Sequence, residues 1–283
     1  MKRLVALVVA LILVLPVSSY AASNNNDSNI DISTSDFSIS TESDNGLTDK
    51  EKSYLINEVG LTEEEIKLFT LEKLREFITY KGKKISTSSV QTYDLASEGT
   101  VAANGLISPM SLSDDIALGA IAIKYAVTDV PNTTKIFLQG NYGWGVVPTF
   151  KLTDKYSIGF PSTNLWYYRT SSGSILNFNS RTCSFTNPDH VWNCSTSTTP
   201  SDASPGIGVA SSHDLLYNSS DYTGFVSLDV YTADTNHGTS NVLFRYGHRT
   251  LTGSVTVSAI PAGLAVTPSI ATETVDYWCT ITW

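Results

Sequence analysis

The stretch Val242-Leu-Phe-Arg-Tyr-Gly-His-Arg-Thr-Leu-Thr-Gly-Ser-Val-Thr-Val-Ser-Ala-Ile260 decides the fold class. Val242, Phe244, Tyr246 and His248 share one face of this stretch, and Leu243, Arg245 and Arg249 share the other. From Val255 to Ala259, apolar residues alternate with Ser and Thr. Side chains along a β-strand point alternately to opposite faces, so this period of two predicts two strands, each with one buried face.

Similar short runs, separated by turn signals, continue over residues 116–283. They predict a mainly β protein with an antiparallel β-sandwich, and a barrel is the less favoured closure. In detail, we expect turns at Gly140-Asn-Tyr-Gly-Trp-Gly145 and Asp154-Lys155, a strand over Asn164–Arg169 and a long polar loop over Thr196–Ser212. We also expect Val226, Leu228 and Val230 to share a face opposite Ser227 and Asp229.

Residues 1–22 have the pattern of a secretory signal peptide. Lys2 and Arg3 precede an uncharged apolar run from Leu4 to Val17, and Ser19-Tyr-Ala21 supplies the small residues that signal peptidase recognises. The run is shorter than a typical membrane span. We therefore expect an exported, extracellular protein with no membrane span in the mature chain. Residues 23–46 are rich in Ser, Asn, Asp and Thr, which predicts a disordered tether.

Residues 47–84 are predicted to form a short helical module. Thr48 with Glu51, and Thr62 with Glu65, match the capping box that starts a helix, and Thr70 can cap a third helix. Apolar residues follow each cap at helical spacing. The module is either a spacer or a partner-binding element, and the spacer is favoured because charged helix faces are usually only solvated. Residues 85–115 are predicted to be a linker with one edge strand around Val101–Ile107.

The formal net charge is −9, and removal of Lys2 and Arg3 with the signal makes the mature chain more acidic still. Such a chain lacks the basic surface that nucleic acids require, so nucleic acid is excluded as a partner. Of the three cysteines, Cys183 and Cys194 flank a short loop, and they are predicted to pair as a disulfide in an oxidising compartment. Cys279 is left over and is expected to be buried as a small apolar residue.

The chain contains no recognisable catalytic motif. Neither a Gly-x-Ser-x-Gly elbow nor a Ser-x-x-Lys motif is present, and the four histidines do not form a spaced metal-binding pair. His248 is expected to be a structural histidine, and the Asp residues of the β region to serve turns and solubility. Asp234-Thr-Asn-His-Gly238 resembles half of a calcium loop, but the later bidentate Glu is missing. We therefore predict no catalytic residue, no metal site and no cofactor.

Aromatic residues are the most suggestive feature of the β region. Exposed aromatic rings near amides and carboxylates can stack on sugar rings while the polar groups bind hydroxyls. The candidate ligand-binding residues are Tyr142, Trp144, Trp166, Tyr168 and Trp192. The alternative is that most of these rings fill the core, because large aromatic side chains are usually buried.

Three segments together carry a family resemblance. They are Leu61-Thr-Glu-Glu-Glu-Ile-Lys-Leu-Phe-Thr-Leu-Glu-Lys-Leu-Arg75, Gly140-Asn-Tyr-Gly-Trp-Gly-Val-Val-Pro-Thr-Phe-Lys-Leu-Thr-Asp-Lys155 and Arg245-Tyr-Gly-His-Arg249. The chain resembles a loosely defined group of uncharacterised exported proteins from Bacillus-like Gram-positive bacteria, which have a short helical segment and a β domain. The resemblance implies a secreted, two-part protein and transfers no catalytic residue.

Three functional hypotheses follow from these observations. The favoured one is a non-enzymatic extracellular binding or surface-interaction protein, with glycan as the candidate ligand. The alternatives are a secreted polysaccharide hydrolase, which needs two suitably spaced carboxylates, and a β-rich toxin or pore former, which the Ser/Thr-rich alternating strands suggest.

Overall fold

The computed structural model describes residues 46–86, 90–94, 115–145, 147–186, 191–250, 254–269 and 272–283. The predicted signal peptide, nearly all of the tether and the expected edge strand around Val101–Ile107 lie outside these residues. The mainly β, antiparallel architecture that the alternation predicts is confirmed, and a small helical region precedes it.

The helical elements lie before the sheets, apart from one 3₁₀ turn, Ser162–Asn164. They are α1 Asp49–Tyr54, a π-helical turn Leu55–Val59, α2 Glu63–Ile66 and α3 Leu71–Thr79. The strands are β1 Lys83–Lys84, β2 Gln91–Asp94, β3 Asp115–Lys124, β4 Thr133–Trp144, β5 Thr153–Gly159, β6 Thr170–Ser171, β7 Ser174–Ile175, β8 Asn179–Thr186, β9 Val191–Ser197, β10 Asp202–Ser204, β11 Gly208–Asp214, β12 Ser219–Ala233, β13 Thr239–Arg249, β14 Val257–Ile260, β15 Gly263–Val266 and β16 Thr272–Thr282.

Two antiparallel sheets form the two layers of the β region. The large sheet has the order β1-β3-β4-β12-β8-β9, and β2 also pairs with β3. The second sheet has the order β10-β11-β5-β13-β16. Neighbours such as β4 and β12 are far apart in the chain, so their pairing depends on long-range contacts and not on hairpin turns.

The core lies between the two sheets. Leu138, Tyr142 and Leu228 come from the large sheet, and Tyr156 and Phe244 come from the second; all are almost fully buried. Val226, Leu228 and Val230 face this core as the alternation predicts, because they occupy every second position of β12. Each large buried ring contributes roughly 1.5–3 kcal/mol relative to exposure in water.

The helical module packs on the outer face of the large sheet. Both predicted capping boxes are present, and the Thr70 hydroxyl accepts a hydrogen bond from the Lys73 backbone N–H. The chain leaves the π-helical turn at Gly60, whose φ of 90° suits a residue without a Cβ. Phe69 and Phe77 of the module pack against Phe137 of β4 with ring centroids 6.0 and 5.5 Å apart. The apolar faces that the spacing predicts are therefore buried against the sheet.

The turn prediction for Gly140–Gly145 is wrong, because β4 continues to Trp144. A Cβ on Gly140 would lie 2.1 Å from the ring of Phe244 in the opposite sheet. This glycine allows two sheets to approach closely and does not reverse the chain. Asp154-Lys155 is also not a turn: both residues lie in β5, and Asp154 is fully buried.

Two further segments differ from the sequence prediction. Asn164–Arg169 is irregular, with a single bridge from Tyr167 to Tyr231, and not a strand. The predicted loop Thr196–Ser212 contains β10 and most of β11. Its Ser, Ala and Gly residues have weak strand propensity, but backbone pairing of β11 with β5 fixes them in the sheet.

The disulfide prediction is confirmed. Cys183 of β8 and Cys194 of β9 are directly opposed in the ladder and are bonded. Cys279 is a buried free thiol whose Sγ lies 2.6 Å from the hydroxyl of Ser86, as the prediction of a buried residue requires. Burial raises the pKa of the Cys279 thiol, so it is kept protonated and unreactive.

Candidate functional site

The outer face of the large sheet holds the candidate site. Strand register places Gln139 of β4, Ser227 of β12 and Asn179 of β8 in one row across this face. Asn141 and Phe225 lie in the next row, directly opposite each other. The helical module covers only part of the face, and a cleft remains beside the first turns of α3.

The cleft has a volume of about 220 Å³ and combines rings with polar groups. Its apolar lining consists of Phe69, Phe137, Phe178 and Phe225, and its polar lining consists of Thr70, Glu72, Lys73, Glu76, Gln139, Asn177, Asn179 and Ser227. The phenylalanines are almost fully buried, whereas Asn177, Thr70 and Glu72 are exposed at the rim. A ligand would therefore meet an apolar and amide floor below a polar rim.

Two buried amide atoms of this face have no hydrogen-bond partner among the described residues, and of the two only the Asn179 side chain lines the cleft. They are Oδ1 of Asn179, an acceptor, and Nδ2 of Asn141, a donor. The side-chain NH₂ of the neighbouring Gln139 does have partners, because its Nε2 donates hydrogen bonds to the carbonyl of Leu68 (3.0 Å) and to Asn141 Oδ1 (2.8 Å). A buried polar atom without a partner costs roughly 1–3 kcal/mol, which a bound ligand or water would remove.

The charged groups beside the cleft form one neutralised cluster. Lys73 lies 2.5 Å from Glu76, and Lys135 lies 3.2 Å from Glu76 and 2.9 Å from Asp229. Burial opposes ionisation of Glu76, but the two ammonium groups outweigh it and lower its pKa. Burial raises the pKa of Asp229 despite the nearby lysines. With Glu72 at the rim, the cleft lining carries two acidic side chains and one lysine, so it offers no excess of positive charge to an anion.

The predicted aromatic residues do not form one surface. Tyr142, Trp144 and Trp166 are 0%, 5% and 2% exposed, and Tyr168 is buried as well. These four rings fill the core, as the alternative interpretation expects, and none of them lines the cleft. Their role in ligand binding stays a prediction.

Trp192 is half-buried and differs from the other four. It pairs with Phe185 across β8 and β9, with ring centroids 5.4 Å apart. By strand parity, Trp192, Phe185 and Asn179 all lie on the outer face of the large sheet. Of the five candidate residues, Trp192 is thus the one that shares a face with the cleft.

A second polar cluster is enclosed between the sheets. The Tyr246 hydroxyl donates to Asp154 Oδ2 (2.6 Å), His248 Nδ1 lies 2.9 Å from the same oxygen, and the Arg249 backbone N–H donates to Oδ1 (2.8 Å). Burial raises the pKa of Asp154. The side chains of Asp154 and His248 are at most 1% exposed, so no substrate reaches them, and the predicted structural role of His248 fits this position.

His213 occupies the same interior. Its Nδ1 lies 2.6 Å from the Tyr142 hydroxyl and its Nε2 lies 3.2 Å from the Ser184 hydroxyl. Burial lowers the pKa of His213 to about 4, which keeps the ring neutral at pH 7. Among the described residues, no group of three His, Cys, Asp or Glu side chains is placed to hold a metal ion.

Sequence reasoning missed most residues of the cleft. Gln139, Asn179 and Phe225 come from three strands, and Lys73 comes from the helical module. The one available signal was the alternation of β12, which places Phe225 with Ser227 on the face opposite the core. Nothing in the sequence shows that this face meets Asn179.

The fold and the cleft define an antiparallel β-sandwich protein with a docked helical module. No protein-family model matches the chain, and no curated protein matches it. Among solved structures, the chain is similar to a "Pore forming protein" at 11% identity and a TM-score of 0.29, over 71% of this chain and 96% of that chain. At this TM-score the likeness carries no argument about function.

None of the helices in the described part of the chain combines the length and the apolar character needed to cross a membrane.

Proposed function

We propose that this protein is an exported, non-enzymatic binding protein and that the cleft between α3 and the large sheet binds a saccharide. Export is supported by the signal-like residues 1–22 and by the disulfide between Cys183 and Cys194, since disulfides form in oxidising compartments. The proposal for the ligand rests on the cleft itself.

The observation that carries the ligand proposal is the unpartnered Oδ1 of Asn179 in a cleft that also contains aromatic rings. Sugar hydroxyls donate and accept hydrogen bonds, and the C–H face of a sugar ring packs on apolar side chains such as Phe225. Ligand pockets for drug-sized molecules are usually about 300–1,000 Å³. A cleft of about 220 Å³ suits roughly one sugar ring.

The carboxylates of the cleft support binding and not hydrolysis. Glu72 and Glu76 stand one turn apart on the same helix, so they do not flank a bound sugar from opposite sides as glycosidase carboxylates do. Glu76 is also engaged by Lys73, Lys135 and the Tyr125 hydroxyl. It is therefore held ionised and is unsuited to act as a general acid.

A glycan array followed by titration calorimetry with the free monosaccharide tests the proposal. Asn179→Ala should weaken binding by about tenfold or more, because it removes an acceptor that the ligand satisfies. The matched control is Asn241→Ala, an exposed amide on the second sheet that accepts one hydrogen bond from Thr280. Thermal unfolding verifies that each variant is folded.

The proposal is wrong if no glycan on the array binds, or if Asn179→Ala and Phe225→Ala both bind with the wild-type affinity. Trp192→Ala tests whether the bound ligand extends beyond the cleft. A loss of affinity in this variant would show that the ligand extends along the outer face towards β9.

A further inference from the structure

One end of the sandwich carries two connections that are tied together. Residues 147–152 belong to the connection from β4 to β5, and residues 215–218 connect β11 to β12. The backbone N–H of Leu215 donates to the carbonyl of Leu152 (3.2 Å). The Lys151 ammonium donates to the carbonyls of Tyr217 and Ser219, both at 2.8 Å. The two connections therefore form one braced surface.

Apolar side chains project from this surface into water. We call it the apolar loop end, and its exposed residues are Val147 (46%), Phe150 (38%), Val191 (51%), Leu216 (45%) and Tyr217 (85%). Val191 belongs to it because it pairs with Thr186, which in turn pairs with Ser219 at the start of β12. Apolar side chains clustered at loop tips are typical of interaction surfaces.

The exposure of Leu216 and Tyr217 is fixed by hydrogen bonds to their backbone carbonyls. The Tyr222 hydroxyl donates to the carbonyl of Leu216 (2.6 Å), and Lys151 holds the next carbonyl, so both residues of the tip are anchored. Holding Leu216 and Tyr217 outward leaves apolar area in water that burial would stabilise. The side chains of Leu216 and Tyr217 are therefore held outward, where they can contact a partner, and do not pack on the protein itself.

We propose that the apolar loop end docks on the interfacial region of a lipid bilayer with zwitterionic headgroups. The side chains project from separate chain segments, and a fluid bilayer accommodates such protrusions whereas a rigid protein partner would need a matching pocket for each. Tyr217 is suited to the interface, because its ring is apolar and its hydroxyl remains near water. The Lys151 ammonium lies 5.5 Å from that ring, where it would meet headgroup phosphates.

Charge favours zwitterionic over anionic lipid. Lys151 is the only charged residue within 147–152 and 215–218, and the exposed Asp214 and Asp221 flank them. The chain as a whole has a formal net charge of −9. Anionic lipid would repel this surface, so the binding energy comes from apolar insertion and is insensitive to salt.

Co-sedimentation of the purified protein without the signal-like residues 1–22 with phosphatidylcholine vesicles tests the proposal. The double variant Leu216→Ser, Tyr217→Ser should lower the partition coefficient by about tenfold or more, since two exposed apolar groups are removed. The control is Leu165→Ser, which removes a side chain that is 70% exposed at the opposite end of the sandwich. This control should partition like the wild type, and urea unfolding shows whether both variants are folded.

Four results would overturn the proposal. The first is that the wild type does not sediment with phosphatidylcholine vesicles. The second is that it binds only anionic vesicles and is released at high salt. The third is that sedimentation velocity finds a dimer that the double variant abolishes, because a second copy of the chain would then cover this end. The fourth is that the double variant and the control have the same partition coefficient.

Discussion

Replacing Asp154 by alanine should destabilise the protein strongly. The carboxylate is 0% exposed and accepts hydrogen bonds from the Tyr246 hydroxyl, from His248 Nδ1 and from the Arg249 backbone N–H. It therefore joins two neighbouring strands, β5 and β13, inside the core. Asp154→Ala removes the acceptor of all three bonds at once.

The expected cost follows from what remains buried. A buried donor left without its acceptor costs roughly 1–3 kcal/mol, and Asp154→Ala leaves three such donors, so the combined cost after partial relaxation is about 3–5 kcal/mol. His248 has no compensating bond, since its Nε2 has no partner among the described residues. We therefore expect the free energy of unfolding to fall by about 3–5 kcal/mol in Asp154→Ala.

Urea unfolding at pH 7, followed by tryptophan fluorescence and circular dichroism, measures this change. Asp214→Ala is the control, because this exposed carboxylate lies on the neighbouring strand β11 and accepts one bond from the Thr153 hydroxyl (3.0 Å). It should cost about 0.5 kcal/mol or less. A loss below about 1 kcal/mol in Asp154→Ala would refute the view that this cluster holds the two strands together.

Two further predictions concern the interior. The pKa of His213 is lowered to about 4 in the folded protein. As the pH falls below about 6.5, the unfolded chain therefore binds a proton at His213 that the folded chain does not bind. The free energy of unfolding should fall by roughly 3 kcal/mol between pH 6.5 and pH 4 for this reason. Urea unfolding of wild type and His213→Gln from pH 7 to pH 4 should show this difference, and parallel curves would contradict it. Gly140→Ala should cost about 1–3 kcal/mol, because its Cβ would overlap the ring of Phe244. Gly119→Ala is the control, because its Cβ would lie 3.3 Å from a methyl group of Val90 and 3.7 Å from the Val90 Cα; equal losses in thermal unfolding would count against close sheet packing at Gly140.

Much of the fold could be predicted because its signals are local. The capping boxes at Thr48 and Thr62 need only neighbouring residues, and both are present in the structure. The alternation from Val242 to His248 likewise predicts which side chains of β13 face the core. The pairing of Cys183 with Cys194 follows from their short separation.

The sequence predictions are wrong where the role of a residue depends on contacts with a distant part of the chain. Gly140 resembles a turn residue, yet its role is set by Phe244, about a hundred positions later. Asp154 resembles a polar turn residue, yet His248 and Tyr246 make it a buried acceptor. Propensity describes one residue and its neighbours, so tertiary contacts of this kind override it.

By itself, the sequence determined the class of fold, the helix starts and the buried faces of single strands, because periodicity and caps depend on residues within a few positions of one another. Only the tertiary structure decided which strands are neighbours. The cleft needs Lys73, Gln139 and Asn179 on one face, and the apolar loop end needs the Lys151 ammonium within hydrogen-bond distance of the Tyr217 carbonyl. These groupings arise from long-range pairing of β4, β8 and β12, and of β5 with β11, for which no local pattern exists.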